Sequence, residues 1–169
     1  MKNTLKILLS LAFALSLASA VEAKRGSDGQ LNLLYWQAPS TMNPNLSGGT
    51  KELEASSVVL EPFARYDEKG NLVAWLAEKI PTVANGGISK DLTSITWKIK
   101  RGIKWSDGSA LTADDAVFTY KYCSNPDTGC TQSNYWSDIK SVTAVNNQTV
   151  KVEFTVPKPF PYAPFVGYN

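Results

Sequence analysis

Histidine is absent from all 169 residues of the chain. Its absence excludes the Ser-His-Asp and Cys-His catalytic arrangements, the HExxH zinc motif and the usual general base near neutral pH. The sequence also lacks the GxGxxG dinucleotide motif and the GxxxxGK[ST] phosphate-binding loop. Acidic pairs do occur, Asp114 with Asp115 and Glu52 with Glu54, but they suit the first turn of a helix, where the macrodipole favours negative charge. We therefore expect no catalytic site, no metal site and no cofactor, and we predict that the protein is not an enzyme.

Neither sign of charge is in large excess. The chain has 17 basic and 15 acidic residues, which gives a net charge of +2. Nucleic-acid-binding domains usually carry a clear basic excess, so this balance argues against a nucleic-acid partner. The hydrophobic fraction of 43% is too high for a disordered chain. We expect a folded protein with one ordinary core.

Long hydrophobic runs are also lacking, except at the N-terminus. There, Lys2 and Lys6 precede an apolar run of about 12 residues, whereas a membrane-spanning helix needs about 20. The small-residue sequences ASA and VEA follow at 18–20 and 21–23, a layout typical of a cleaved secretory signal. We predict a signal peptide at 1–23 and an exported mature chain at 24–169. No cysteine lies near the cleavage region for lipid attachment, so we expect a periplasmic protein without a lipid anchor.

Cysteine is scarce, with Cys123 and Cys130 as the only two in the chain. The sequence between them, SNPDTG, contains residues that favour tight turns, and exported proteins commonly form disulfides. A redox pair or half of a metal site is the alternative, but the spacing is not CxxC and no histidine is available. The pattern favours a structural disulfide between Cys123 and Cys130.

Three stretches have the pattern of β-strands. Ile95, Trp97 and Ile99 alternate with polar residues, as in a half-buried strand. The sequences SVTAV and TVKVEFTV flank NNQ, which indicates a hairpin. The short apolar run LNLLY at 31–35 suits a buried strand.

Three further stretches have helical signals. Residues 51–60 look helical up to the step before Pro62, and the sequence LVAWLAEKI at 72–80 predicts a short helix after a polar turn. After the turn signal SDG at 106–108, Thr112 and Asp115 resemble a capping box that opens a helix at 113–122. Its predicted buried stripe consists of Ala116, Val117, Tyr120 and Cys123.

Three long stretches in this order carry a family resemblance: GGTKELEASSVVLEPFARYDEKGNLVAWLAEKIP, then ITWKIKRGIKWSDGSALTADDAVFTYKY, then IKSVTAVNNQTVKVEFTVPKPFPYAPF. They resemble the opening part of the extracytoplasmic solute-binding proteins of peptide and oligopeptide ABC transporters, family 5 of the solute-binding proteins. The similarity runs from about Leu31 to Phe165. Its most specific part is the strand, the WSDG turn and the LTADD helix start.

The resemblance implies an α/β fold and a function. Residues 24–169 would form the N-terminal part of the first lobe of a two-lobed binding protein, with a mixed sheet and short helices, in a chain that stops short of the second lobe. Such proteins capture a solute by hinge closure, which requires no catalytic residue. The implied ligand is a peptide, an oligopeptide or, less often, an oligosaccharide, and the implied partner is the ABC permease. We expect a monomer. The alternative function is a secreted carbohydrate-binding or interaction domain.

The resemblance also implies candidate ligand contacts. Ser47, Gly48 and Gly49 match a loop at the family's cleft, and glycine lets backbone amides approach a ligand closely. A helix entry turn is the alternative reading of this loop. Tyr135 and Trp136 lie where a family tyrosine contacts ligand, although they could instead pack against the disulfide loop. The remaining tryptophans are expected in the core or at its rim: Trp36, Trp75, Trp97 and Trp105.

Overall fold

The computed structural model describes residues 29–30 and 32–167, so the predicted signal peptide lies outside the described residues. The chain divides into two compact units, Met1–Trp36 and Gln37–Asn169. The described part of the first unit contains no helix or strand, and its Leu33 and Leu34 side chains are exposed. The strand predicted at 31–35 is therefore wrong, because a short apolar run becomes a strand only where a neighbouring strand supplies its hydrogen bonds.

Helix α1, Thr50–Ser56, is the first α-helix described in the second unit and follows a 3-10 turn at Pro44–Leu46. It ends before the predicted boundary at residue 60. The hydroxyl groups of Ser56 and Ser57 donate to the carbonyls of Leu53 and Glu54, at 2.9 and 2.6 Å. The β-branched residues that follow have lower helix propensity. Together these features end α1 early.

Strands β1, Ala64–Tyr66, and β2, Leu72–Ala74, form an antiparallel hairpin. The Asp67 carboxylate closes its turn by accepting from the backbone N–H of Lys69 at 2.9 Å and of Asn71 at 2.7 Å. The helix predicted at 72–80 is therefore wrong. Pairing with β1 determines the conformation there, overriding a pattern too short to distinguish helix from strand.

The main sheet has three antiparallel strands in the order β3-β5-β4: β3 is Ser94–Lys98, β4 is Ile139–Asn146 and β5 is Thr149–Phe154. Ile95 is paired with Val152, and Trp97 with Val150. These four side chains are all completely buried. The strand around 95–99 and the hairpin around NNQ are thus confirmed.

Helix α2, Ala113–Ser124, covers this sheet and confirms the helix predicted at 113–122. The backbone N–H of Thr112 donates to the Asp115 carboxylate at 2.7 Å, as the capping box requires. The N–H of Ala113 donates to the Asn147 carbonyl in the β4-β5 turn at 2.9 Å. Ala113, Ala116 and Cys123 are buried, whereas Val117 and Tyr120 are partly buried against the core.

The core is rich in aromatic side chains. The Trp97 ring lies 5.6 Å from Phe63 and 6.2 Å from Phe165, measured between ring centroids. Hydrogen bonds between β1 and the segment near residue 165 complete this side of the core, with the N–H of Phe63 donating to the Phe165 carbonyl at 3.1 Å. Within the described ranges, no helix has the length and apolar character needed to cross a membrane.

Candidate functional site

A cavity in the second unit has a volume of about 360 Å³. Its lining comes from α1 and the segment after it, the β1-β2 hairpin, the WSDG turn, α2 and the chain near residue 165. Small-molecule sites commonly fall at 300–1,000 Å³ and combine apolar walls with a few polar groups. The apolar walls include Leu53, Leu60, Phe63, Trp75, Trp105, Leu111 and Phe165.

Three side chains form an ordered polar and aromatic group at this cavity. The indole N–H of Trp75 donates to the Glu61 carboxylate at 3.0 Å. The Arg65 guanidinium carbon lies 3.3 Å from the centroid of the Trp75 ring. Because Arg65 stacks on an indole that Glu61 holds in place, one cation and one anion line the same wall. This arrangement suits an apolar or aromatic group that carries polar ends.

The cavity contains no apparatus for bond breaking. Asp115 lines it, but its carboxylate is engaged by the α2 cap. In the described part of the chain, no cluster of three or more His, Cys, Asp or Glu side chains could hold a metal ion. The cavity's side chains are suited to holding a ligand through shape complementarity, ring stacking and charge.

The predicted loop of Ser47, Gly48 and Gly49 precedes α1 and is not among the residues that line this cavity or a smaller one of about 140 Å³. Gly48 is exposed, and a Cβ added there would meet no atom within 4 Å. A Cβ on Gly49 would lie 2.5 Å from the Glu52 carboxylate oxygen. A side chain at Gly49 would therefore have to displace the Glu52 carboxylate, whereas one at Gly48 would enter open space.

Glu52 is the charged residue that fixes the base of this loop. Its side chain is buried, forms an ion pair with Lys51 and accepts from the backbone N–H of Ser40 at 2.8 Å. The hydrogen bond from the Lys51 side chain has the largest effect on the pKa of Glu52, and the bond from the Ser40 N–H has the next largest. These bonds lower the pKa to about 2. The carboxylate is thus ionised and holds residues 40 and 49–52 together.

Tyr135 and Trp136, the predicted aromatic contacts, have different environments. Tyr135 is 38% exposed and lines the smaller cavity, of about 140 Å³. Trp136 is only 5% exposed, and its ring lies 5.4 Å from Phe165 and 6.0 Å from Tyr120. The structure therefore does not gather the predicted residues into one cavity, and the ligand contacts remain a prediction.

The cysteine prediction is confirmed by the structure, in which Cys123 and Cys130 form a disulfide with a Cα–Cα distance of 5.1 Å. The bridge closes the turn after α2. The Thr128 hydroxyl donates to the Tyr122 carbonyl at 2.7 Å and fastens the same turn to the helix end.

Sequence reasoning missed Glu61, Arg65 and Gln132 as cavity residues. It placed Trp75 and Trp105 in the core or at its rim, and both line the cavity, Trp75 half-buried and Trp105 41% exposed. Trp97 is completely buried, whereas Trp36, in the first unit, is 72% exposed. Glu61, Arg65 and Trp75 lie close together in the sequence, which was the available signal. Their contact depends on the pairing of β1 with β2, and the sequence did not reveal that pairing.

Comparison with known proteins gives a consistent family. The family model for bacterial extracellular solute-binding proteins, family 5 Middle, matches residues 71–168, which is more than half of the chain. A probable ABC transporter-binding protein of Deinococcus radiodurans is 30% identical over 162 residues, covering 90% of this chain and 25% of the relative. The oligopeptide-binding protein OppA of Bacillus subtilis is 28% identical and covers 82% of this chain and 28% of its own length.

The fold has matching solved structures. The oligopeptide-binding protein AppA of Bacillus subtilis, in complex with a nonapeptide, is similar with a TM-score of 0.63 and 27% identity, over 70% of this chain and 22% of that one. The α/β class predicted from the sequence is thus confirmed as a mixed α/β structure that matches part of an oligopeptide-binding protein. The chain spans about a quarter of the length of the relatives it matches.

Proposed function

This chain belongs to the family 5 bacterial extracellular solute-binding proteins, and on that premise we propose that it captures peptides for uptake by an ABC transporter. The observation that carries the proposal is the family match over residues 71–168, more than half of the chain. The family is one of solute-binding proteins rather than enzymes, which agrees with the prediction of a non-enzymatic protein. The homologues named above include an oligopeptide-binding protein and one crystallised with a nonapeptide.

The proposal extends to the organisation of the protein. Residues 1–23 serve as a signal peptide, and residues 24–169 form the N-terminal part of the first lobe of a longer, monomeric periplasmic protein that delivers its solute to permease subunits. Support comes from the N-terminal sequence pattern and from relatives about four times as long as the chain. Closure of a second lobe over the ligand would complete the site.

The proposal assigns ligand binding in this segment to Ser47, Gly48, Gly49, Tyr135 and Trp136. The exposure of Gly48 and the partial exposure of Tyr135 support contact with a ligand. In this proposal the more exposed Tyr135 makes the direct contact, and the buried Trp136 supports it. A peptide backbone offers N–H and C=O groups to exposed loop amides and apolar surface to a tyrosine ring.

The test is calorimetric titration of a randomised nonapeptide pool into the complete mature protein, meaning the product of the whole gene after signal removal. We expect binding in the micromolar range or tighter. The segment 24–169 alone should bind weakly or not at all, because half a cleft buries little of the ligand. Tight peptide binding by the segment alone would contradict the division into lobes.

An oligosaccharide pool provides the second arm. Binding of sugars and not peptides by the complete protein would replace the peptide assignment with a carbohydrate one. Within the peptide arm, Tyr135→Ala should weaken binding about two- to tenfold, the equivalent of one lost aromatic contact. Phe118→Ala, at a 67% exposed position of α2 that lines neither of the two cavities described, is the aromatic control outside the predicted contact set.

A further inference from the structure

The turn closed by the disulfide holds the loop that leads into Ser47–Gly49. The backbone N–H of Thr131 donates to the Asn45 carbonyl at 2.8 Å. The Gln132 side-chain amide donates to the Pro44 carbonyl at 3.0 Å, and the Thr131 hydroxyl lies 3.3 Å from the Asn45 carbonyl. These bonds join segments that lie 86 to 88 residues apart in the sequence.

The disulfide turn is itself fastened to the scaffold. Cys123 is 1% exposed at the end of α2, and its bridge fixes Cys130 next to Thr131. The N–H of Ser133 donates to the Cys130 carbonyl at 3.3 Å, which continues the ordered backbone beyond Gln132. A rigid connection therefore runs from the buried end of α2 to the carbonyls of Pro44 and Asn45.

The other end of the loop has a separate anchor. Gly49 packs against the Glu52 carboxylate, which Lys51 and the Ser40 backbone hold in place. Ser47 and Gly48 therefore lie between two fixed points, one on each side. Inside the loop, the Ser47 hydroxyl accepts from the Gly49 N–H at 3.1 Å.

We infer that Thr131 and Gln132 are positioning residues that hold the Ser47–Gly49 loop in its binding conformation. The inference rests on the proposed function for its ligand and adds a role that no sequence motif suggested. Residues 43–49 contain one 3-10 turn, Pro44–Leu46, and one large apolar side chain, Leu46, which is 44% exposed. Because so little apolar surface is buried there, loss of one anchor increases the fraction of other conformations. The apparent affinity then falls in proportion to the competent fraction.

The first experiment needs no ligand. Gln132→Glu is close in shape to the wild type but removes the donor to the Pro44 carbonyl. Hydrogen exchange of the complete mature protein, followed by mass spectrometry, should show about three- to tenfold faster exchange at residues 43–49, as expected for one lost hydrogen bond. Gln132→Lys retains a donor at similar reach and should restore slow exchange. Gln148→Glu, which makes the same charge change in the β4-β5 turn, should leave residues 43–49 unchanged.

The second experiment measures the affinity of the same proteins for the randomised nonapeptide pool. We expect Gln132→Glu to weaken binding about three- to tenfold at an unchanged urea midpoint, with recovery in Gln132→Lys. Unchanged exchange at 43–49 in Gln132→Glu would overturn the inference. Faster exchange with unchanged affinity would also overturn it, provided that Gly48→Ala weakens binding. If neither Gly48→Ala nor Gln132→Glu affects affinity, the loop is not a contact surface, and the site assignment fails together with the inference.

Discussion

The α2-covered sheet and the loop layer at residues 40–52 satisfy their polar groups in different ways. In the sheet, the backbone bonds run between strands, and Ile95, Trp97, Val150 and Val152 are fully buried over them. In the loop layer, side chains supply part of the bonding: Lys51 donates to the Ala38 carbonyl, Glu52 accepts from the Ser40 N–H, and Gln132 donates to the Pro44 carbonyl. Backbone ladders with a continuous core give the higher local stability, and segments held by few side chains open more readily. The sheet is therefore the more rigid scaffold. The loop layer, which is proposed to contact the ligand, is held partly by side chains and opens more readily.

The largest expected effect is on the scaffold, from Trp97→Ala. Its side chain is completely buried among Phe63, Tyr162 and Phe165. Removing it should lower the free energy of unfolding by about 3–5 kcal/mol, through lost burial and the cavity left behind. Urea unfolding followed by far-UV circular dichroism measures the change, and Trp105→Ala, at a 41% exposed position, is the control. Equal losses of unfolding free energy in Trp97→Ala and Trp105→Ala would mean that the buried position contributes no more to stability than the exposed one.

The disulfide comes next, since it joins the scaffold to the loop layer. Replacing both cysteines by alanine should cost about 2–3 kcal/mol on the chain-entropy estimate for so short a loop. It should also speed amide exchange at 43–46, because Cys130 precedes the residues that bind Pro44 and Asn45. Ser124→Ala, inside the same turn but exposed, is the matched control. Non-reducing mass spectrometry of the exported protein tests the bridge directly, and two alkylatable thiols would contradict it.

The α2-covered sheet was easier to predict from the sequence than the loop layer. Periodicity predicted β3, α2 and the β4-β5 hairpin because the alternation of Ile95, Trp97 and Ile99 and the cap at Thr112 are local signals. The family resemblance read from the same stretches is confirmed by the match over residues 71–168. Strand β2 was mistaken for the start of a helix, because its conformation depends on pairing with β1 rather than on its own residues.

The candidate site was less predictable than the fold. No local pattern places Gln132 on the Pro44 carbonyl or Arg65 on the Trp75 ring, because these contacts arise only after the chain has folded. The sequence and its family resemblance marked Gly48 and Gly49 as candidate ligand contacts, and that assignment stays a prediction. The sequence does not show, however, that the two glycines differ. The structure does, because a Cβ on Gly49 would meet the Glu52 carboxylate and one on Gly48 would meet no atom within 4 Å.

This difference between Gly48 and Gly49 predicts a smaller effect on stability, within the loop layer. Gly49→Ala should destabilise the protein by about 1 kcal/mol, the lower end of the cost of overpacking, because its Cβ would press on Glu52. Gly48→Ala should leave the free energy of unfolding unchanged, since the added methyl group meets open space. Urea midpoints of the two variants measure the difference. A stable Gly49→Ala would show that the Glu52 side chain yields easily and that the loop has no firm anchor at this end.

The last prediction concerns the charge on Glu52, which is lost only in acid. The bonds from Lys51 and Ser40 lower the pKa of Glu52 to about 2 from an ordinary value of 4.5. Because the folded-state pKa is the lower one, the stabilisation is complete above about pH 4.5 and is lost as the pH falls toward 2. Wild-type protein should therefore lose stability over this interval more steeply than Glu52→Gln, which has no carboxylate to protonate.

The measurement is urea unfolding of both proteins at several pH values between 6 and 2.5, with Glu54→Gln as the control at an exposed position on the same helix. We expect the wild type and Glu52→Gln to converge as the pH falls, and Glu54→Gln to follow the wild type. Equal stability of wild type and Glu52→Gln at every pH would show that this side chain contributes by shape alone, because Glu and Gln are nearly isosteric. The anchor of the loop layer would then be steric, like the packing of the scaffold, and the contrast between the two regions would be weaker than the charges suggest.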